Sequence, residues 1–175
     1  MSEFERIVRL DTLGSAEREM TLEADADERG ALARRFGLAA IDQLVAKVAF
    51  HRTGETVELR GDLEAQVIQH CVASGTPVPA RISEPFRLRF VPEAALESDA
   101  EEIELSAEDC DVIGYAGGQI DLGEAVAETL ALALDPFPRS PDADAALREA
   151  GVMSEEDAGP FSALKDLRDR LSGKS

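Results

Sequence analysis

The sequence predicts an α+β fold with an antiparallel β-rich core, open or barrel-like, a few flanking helices and an acidic loop. Three observations lead to this fold class. Apolar and polar residues alternate with the period of a strand along residues 44–60 and 80–91. The two clearest helical patterns lie at residues 25–36 and 121–134. The chain has 175 residues, 44% of them hydrophobic, which is enough to bury a core without disulfides or a structural metal.

The first part of the chain predicts two strands and a helix. Residues 4–10 and 18–24 are short mixed segments on either side of a turn at Gly14 and Ser15, a pattern typical of strands. Residues 25–36 place apolar side chains on one side of a helix. Either Asp25 or Asp27 would cap the start of this helix, and Gly37 would end it.

The next segments predict the centre of the sheet. Residues 44–60 indicate a β-hairpin with its turn at residues 53–55, and the alternation continues in residues 63–70. Residues 80–91 alternate large apolar side chains with arginines, so we expect a half-buried strand with one arginine face. This face carries Arg81, Arg87 and Arg89.

The second half of the chain is less regular. Residues 92–109 are rich in Ala, Glu, Ser and Asp and predict a mobile acidic excursion. Residues 110–115 predict a strand. Residues 121–134 give the best helix of the chain, with Asp121 and Glu124 as a capping-box-like start and prolines after its end.

These elements predict one folded domain with a tail. Residues 1–138 form a single β-rich domain that includes the acidic segment 92–109 and the helix at 121–134. Residues 139–175 predict a linker followed by a short amphipathic helix at 161–171.

Charge is the most informative property of the composition. The net charge is −18 and the isoelectric point about 4.4, which argues against a generic basic nucleic-acid binder and against adsorption to an anionic membrane. Residues 90–138 contain 13 acidic and no basic side chains. Two interpretations stay open: a solvated loop that keeps the protein in solution, or a docking site for a basic partner. The docking residues would be Glu101, Glu102, Glu104, Asp109 and Asp111.

Enzyme and metal motifs are absent from the sequence. It contains no phosphate-binding glycine loop, nucleophile elbow, H-E-x-x-H or paired C-x-x-C. His70 and Cys71 are neighbours that would point to opposite faces of a strand, so they make a poor metal pair. We therefore expect a non-enzymatic protein without cofactor or metal. The alternative of an enzyme would need clustered acids that hold Mg²⁺, for which the nominal ligands are Asp109, Asp111 and Asp121.

The N-terminal residues and the number of cysteines indicate the cellular compartment of the protein. The first residues are acidic with no apolar run behind them, which argues against a signal peptide, and no apolar run reaches the length of a membrane span. Two cysteines, Cys71 and Cys110, are too few for a disulfide scaffold. We expect a protein of the reducing cytoplasm.

Three motifs carry a resemblance to a known family. Residues 61–71 read G-D-L-E-A-Q-V-I-Q-H-C and lead into V-P-A-R-I-S-E-P-F-R-L-R-F. Residues 118–138 read G-Q-I-D-L-G-E-A-V-A-E-T-L-A-L-A-L-D-P-F-P, and residues 159–167 read G-P-F-S-A-L-K-D-L. Together they resemble the bacterial YceD family. The matching positions are Gly61, Cys71, Gly118, Ile120, Asp121, Leu122, Pro136 and Phe161.

One departure from the family pattern concerns its cysteine motif. The family commonly shows C-x-R-C, whereas residues 71–74 here read C-V-A-S, without the arginine and the second cysteine. The resemblance implies a role in accumulation or processing of 23S ribosomal RNA and in assembly of the large subunit, and it identifies no catalytic residue. Because a chain of charge −18 should be repelled by naked RNA, we expect a basic ribosomal protein or assembly factor as the partner. The alternative is direct contact of the arginine strand face with RNA.

Overall fold

The computed structural model describes residues 2–98 and 111–152. These residues form seven strands, four α-helices and one short 3-10 helix, Leu10–Thr12. The strands are β1 (Ile7–Arg9), β2 (Arg18–Glu23), β3 (Ala40–Thr53), β4 (Thr56–His70), β5 (Pro77–Pro92), β6 (Asp111–Tyr115) and β7 (Gln119–Asp121). The helices are α1 (Ala26–Phe36), α2 (Glu93–Ser98), α3 (Leu122–Ala133) and α4 (Ala143–Glu149).

The strands form two sheets, which confirms the predicted α+β class. Five strands lie in the order β2-β3-β4-β5-β6, and β1 pairs with β7 in a second sheet. Within the described residues the larger sheet is open, with β2 and β6 at its edges, so it does not close into a barrel. No helix of the described part is long and apolar enough to span a membrane.

The larger sheet is mixed rather than purely antiparallel. The β2–β3 and β3–β4 pairs are antiparallel, but β6 runs parallel to β5, with Leu88 opposite Asp111. A parallel neighbour requires a long crossover connection. Residues 93–110 supply it, and they begin with helix α2, whereas the sequence predicted only a mobile excursion there. The Glu-Ala-Ala-Leu-Glu start of α2 consists of good helix formers, which explains the difference.

The central hairpin is confirmed and is longer than predicted. Strand β3 pairs with β4 from Ala40 opposite Ile68 to Thr53 opposite Thr56. The segments predicted as separate strands, 56–60 and 63–70, are one continuous strand. Buried and exposed residues alternate along it, so one face joins the core and the other faces outward.

The N-terminal prediction is only partly confirmed. Residues 4–10 and 18–24 do contain strands, but β1 and β2 lie in different sheets. Strand β1 pairs instead with β7, which the sequence analysis missed, and Val8 lies opposite Ile120. A strand of three residues gives no periodic signal, so this long-range pairing is invisible in the local pattern.

Helix α1 matches its prediction closely. Its cap is Asp25, whose carboxylate accepts a hydrogen bond from the Glu28 backbone amide at 2.9 Å, and Glu28 returns a bond to the Asp25 amide at 2.8 Å. Gly37 ends the helix with a φ of 65°, a left-handed conformation that glycine adopts at little cost. Leu32 is fully buried in the core.

The chain divides into two compact units. The first comprises Met1–Gln69 and Pro79–Pro136 and holds the hydrophobic core, whose largest fully buried side chains include Phe4, Phe50, Leu122 and Leu130. The second comprises His70–Val78 and Phe137–Ser175, and in its described part contains a turn at residues 71–76 and helix α4. The predicted tail helix at 161–171 lies outside the described residues.

Candidate functional site

Asp121 caps the N-terminus of helix α3. Its Oδ1 accepts hydrogen bonds from the backbone amides of Gly123 at 3.0 Å and Glu124 at 3.2 Å, which confirms the predicted cap. The same atom also accepts from the Arg6 amide at 2.8 Å, and the Leu122 amide donates to the Arg6 carbonyl at 3.0 Å. One carboxylate thus joins helix α3 to the N-terminal segment of the chain.

Glu124 does not complete a capping box, contrary to the sequence prediction. Its carboxylate accepts from the Arg35 guanidinium at 2.5 and 2.9 Å and from the Ser2 hydroxyl at 2.7 Å. The hydrogen bonds from Arg35 hold the pKa of the Glu124 carboxyl below its usual value, against the opposing effect of burial. Glu124 is therefore committed to a contact between α3 and α1 and is a poor candidate for binding a partner.

Gly123 is a structural residue that the sequence analysis missed. It is buried in the first turn of α3, where a Cβ atom would overlap the Phe4 carbonyl oxygen and lie 3.1 Å from the Arg6 nitrogen. The available signal was a glycine inside the strongest helix pattern, where it costs about 1 kcal/mol relative to alanine. A glycine inside a helix despite this cost indicates that a neighbouring backbone segment lies too close to leave room for a side chain.

A second glycine that neighbouring atoms approach closely is Gly61, inside strand β4. A Cβ atom here would lie 2.8 Å from the Lys47 carbonyl oxygen and 2.9 Å from both Phe86 Cζ and Val48 Cγ1. The missing side chain leaves room for the Phe86 ring, which packs in the core from strand β5. The glycine that opens the first sequence motif is thus explained by packing.

Cys71 organises the turn that follows β4. Its Sγ accepts a hydrogen bond from the Ser140 amide at 3.3 Å, and its backbone amide donates to the Thr76 carbonyl at 2.8 Å. Hydrogen bonds from Ser140 and then Ser74 lower the pKa of the thiol to about 6. The side chain is buried, so in this chain the residue holds the turn at 71–76 against residues 138–140.

Metal-ligating groups are scattered in the described part of the chain. Within residues 2–98 and 111–152, no three His, Cys, Asp or Glu side chains are placed to share a metal ion. His51 Nε2 lies 3.7 Å from the Glu58 carboxylate, and His70 is exposed at the end of β4. Of the nominal Mg²⁺ ligands, Asp121 serves as the α3 cap and Asp111 is exposed at the start of β6, while Asp109 lies outside the described residues.

The acidic docking candidates are only partly described. Asp111 is exposed, whereas Glu101, Glu102, Glu104 and Asp109 lie outside the described residues. Two further exposed acids of the 90–138 region, Glu93 and Glu128, have no ion-pair partner within the described part. Asp121 and Glu124 are thus engaged internally, whereas Glu93, Asp111 and Glu128 face outward.

The arginine candidates lie on one exposed face of β5. Arg81, Arg87 and Arg89 are exposed, and Phe86, Leu88 and Phe90 between and beside them are buried in the core. This alternation agrees with the predicted arginine face. None of the three guanidiniums forms an ion pair with a described residue, whereas Arg6, Arg35 and Arg60 each pair with a glutamate.

The family to which the chain belongs follows from its match to a protein-family model. A family model described as Large ribosomal RNA subunit accumulation protein YceD matches residues 59–168, which is more than half of the chain. The chain belongs to the YceD family. Its role is therefore in accumulation of large-subunit ribosomal RNA. No curated protein and no solved structure matches the chain.

Most YceD motif residues of this chain have a structural explanation. Gly118 has a φ of 69° in the turn before β7, and Ile120 and Leu122 are buried on either side of the Asp121 cap. Pro136 follows the end of α3, where it prevents continuation of the helix. Phe161 lies outside the described residues. The YceD motifs of the described part thus mainly build the fold, which leaves the charged surfaces as candidates for binding.

Proposed function

We propose that this YceD-family protein supports large-subunit rRNA accumulation without catalysis, by binding a basic ribosomal protein or assembly factor in the cytoplasm. The observation that carries the proposal is the segregation of charge. Residues 90–138 contain 13 acidic and no basic side chains, while the rest of the chain is close to balanced. The negative electrostatic field of such an acidic segment attracts cationic partners and accelerates their association.

Ion pairs within the described part of the protein neutralise only part of this acidic charge. In the described part of the region, Glu124 is paired with Arg35, but Glu93, Asp111 and Glu128 are exposed without an ion-pair partner. Each exposed carboxylate is hydrated and can exchange water for a lysine or arginine at small cost, for a gain of about 0.2–1 kcal/mol per pair. Several such pairs acting together give an affinity that falls steeply with salt.

The proposal is tested by neutralising Glu101, Glu102 and Glu104. We expect the triple variant E101Q/E102Q/E104Q to bind its basic partner about tenfold more weakly at low salt, since three ion pairs with the partner would contribute roughly 0.2–1 kcal/mol each and ~1.4 kcal/mol corresponds to a factor of ten. The measurement is affinity capture of ribosomal proteins at low and high salt with quantification of the bound basic proteins.

A matched control separates this site from the net charge of the chain. The variant E5Q/E23Q/D42N removes the same charge from exposed acids that lie outside residues 90–138 and have no ion-pair partner within the described part. We expect it to capture the same proteins as the wild type. Capture that survives neutralisation of the acidic segment, or that falls equally in both variants, would contradict the proposal.

A further inference from the structure

Along β3, β4 and β5, one face of the five-stranded sheet is uncovered in the described part of the chain, whereas at β6 helix α2 packs on that face, with Leu96 and Glu93 against Gly114. Along β3, β4 and β5, side chains that join the core alternate with side chains that face outward. The inward side chains pack with those of α1 and α3 in a single core, which includes Leu32, Leu63 and Leu130. The outward face therefore presents its side chains to solvent over the length of three long strands.

The cations of this face are concentrated on β5. Arg87 and Arg89 are two residues apart, so their Cα atoms lie roughly 7 Å apart on the same side of the strand. Arg81 lies further along the same side. We call these three residues the arginine row. Neighbouring guanidiniums repel one another, and within the described residues no carboxylate pairs with any of them. Acidic residues outnumber basic ones 36 to 18 in this chain, so a row of arginines without an ion pair to any described residue stands out.

A groove extends the arginine row across the sheet. It has a volume of about 800 Å³ and spans β2, β3, β4 and β5, with Arg87 at one side and Lys47 on β3 in its lining. Lys47 has no ion-pair partner in the described part, whereas the Arg60 guanidinium, also in the lining, is paired with Glu17 at 2.8 Å. Glu19 and Asp62 line the groove as well. The groove is large enough for a bound ligand, and its cations lie beside these two carboxylates, which weaken its attraction for a phosphate.

We propose that the arginine row, together with Lys47, binds the phosphate backbone of RNA. The planar guanidinium fork matches the geometry of a phosphate and can donate two hydrogen bonds to it. Within the described residues this face offers no exposed Phe, Tyr or Trp side chain on which a base could stack, since Phe86 and Phe90 are buried. Contacts to phosphates alone give binding that depends on salt and not on sequence.

The net charge of the protein does not prevent this contact but weakens it. A chain of charge −18 repels a polyanion at long range, and that repulsion is screened by salt within about 10 Å at 0.1 M. The number of counterions released depends on the phosphates that are touched locally. The arginine row borders the acidic 90–138 region, since β5 continues into that region and Leu88 lies opposite Asp111. The two proposals rest on different residues, so they can fail independently. If both hold, the protein bridges a basic protein and the RNA.

The test is the salt dependence of binding to RNA. Fluorescence anisotropy of a labelled single-stranded RNA oligonucleotide is measured with the full chain from 25 to 200 mM KCl. Four phosphate contacts, from the three arginines and Lys47, predict a slope of log K against log salt of about −3, and K47Q should reduce its magnitude by about 0.7. In R81Q/R87Q/R89Q, which keeps Lys47, we expect a slope of about −0.7 and at least tenfold weaker binding at the lowest salt.

A second triple variant is the matched control. R18Q/R34Q/R148Q removes the same charge from arginines that are also exposed and have no ion-pair partner within the described residues. We expect it to keep the wild-type slope, with thermal melting showing that both variants are folded. An unchanged slope in the arginine-row variant, or an equal loss in the control, would overturn the proposal. Stronger binding of polyglutamate than of RNA would also overturn it and would indicate an acidic protein as the ligand.

Discussion

Replacing Gly123 by alanine is expected to lower the free energy of unfolding by about 3 kcal/mol, at the upper end of the usual cost of overpacking. The added Cβ would overlap the Phe4 carbonyl oxygen and lie 2.8 Å from the Phe4 carbonyl carbon. Backbone atoms cannot rotate away, so the N-terminal segment must move and release its hydrogen bonds to Asp121 and Leu122. Thermal unfolding followed by circular dichroism should show a melting temperature roughly 6–12 °C lower.

Gly30 provides the matched control for this substitution. It also lies inside a helix, α1, but a Cβ atom there would meet only Arg34 Nη1, at an ordinary 3.7 Å. Alanine at position 30 should therefore raise the unfolding free energy by about 0.5–1 kcal/mol, the usual gain from replacing a helical glycine. The account of Gly123 would be wrong if both substitutions changed stability in the same direction.

Valine at position 61 is expected to destabilise the protein by about 2–3 kcal/mol, although strand propensity alone favours valine over glycine. The reason is the 2.8 Å approach of the Lys47 carbonyl oxygen and the 2.9 Å approach of Phe86 Cζ to the added Cβ. Urea unfolding of Gly61→Val measures the loss. The control is Glu64→Val on the exposed face of the same strand, which we expect to be nearly neutral.

A double-mutant cycle assigns part of this cost to the Phe86 ring. If the ring occupies the space above Gly61, the variant G61V/F86L should be more stable than the sum of the two single effects predicts. The rescue will be incomplete because the Lys47 carbonyl stays in place. Strict additivity would show that the two residues do not compete for the same space.

Local patterns predicted the elements whose signals lie within a few residues. Helix α1 has its cap and terminator at Asp25 and Gly37, and the central hairpin turns at Gly54, whose φ is 64°. The β1–β7 pair and the parallel β5–β6 pair were missed because both join distant parts of the chain. The first pair has no periodic signal, and the direction of the second depends on the connecting residues 93–110.

For the candidate sites too, features set by neighbouring residues could be predicted from the sequence, whereas contacts between distant residues could not. The alternation of residues 80–91 predicted which face of β5 carries Arg81, Arg87 and Arg89. The sequence did not reveal which acids are already paired, because the partner of Glu124 is Arg35, 89 positions earlier. Glycines 61 and 123 look alike in a motif, and only the backbone atoms that approach them show why a side chain is excluded.

A sucrose-gradient profile of cells with and without the protein tests the central claim most directly. We expect cells without it to lose large ribosomal subunits relative to small ones, and the protein itself, followed by immunoblot, to sediment with a large-subunit precursor. Re-expression of E5Q/E23Q/D42N should restore the profile, whereas E101Q/E102Q/E104Q should not. A normal profile without the protein, with the protein found only at the top of the gradient in wild-type cells, would contradict the account.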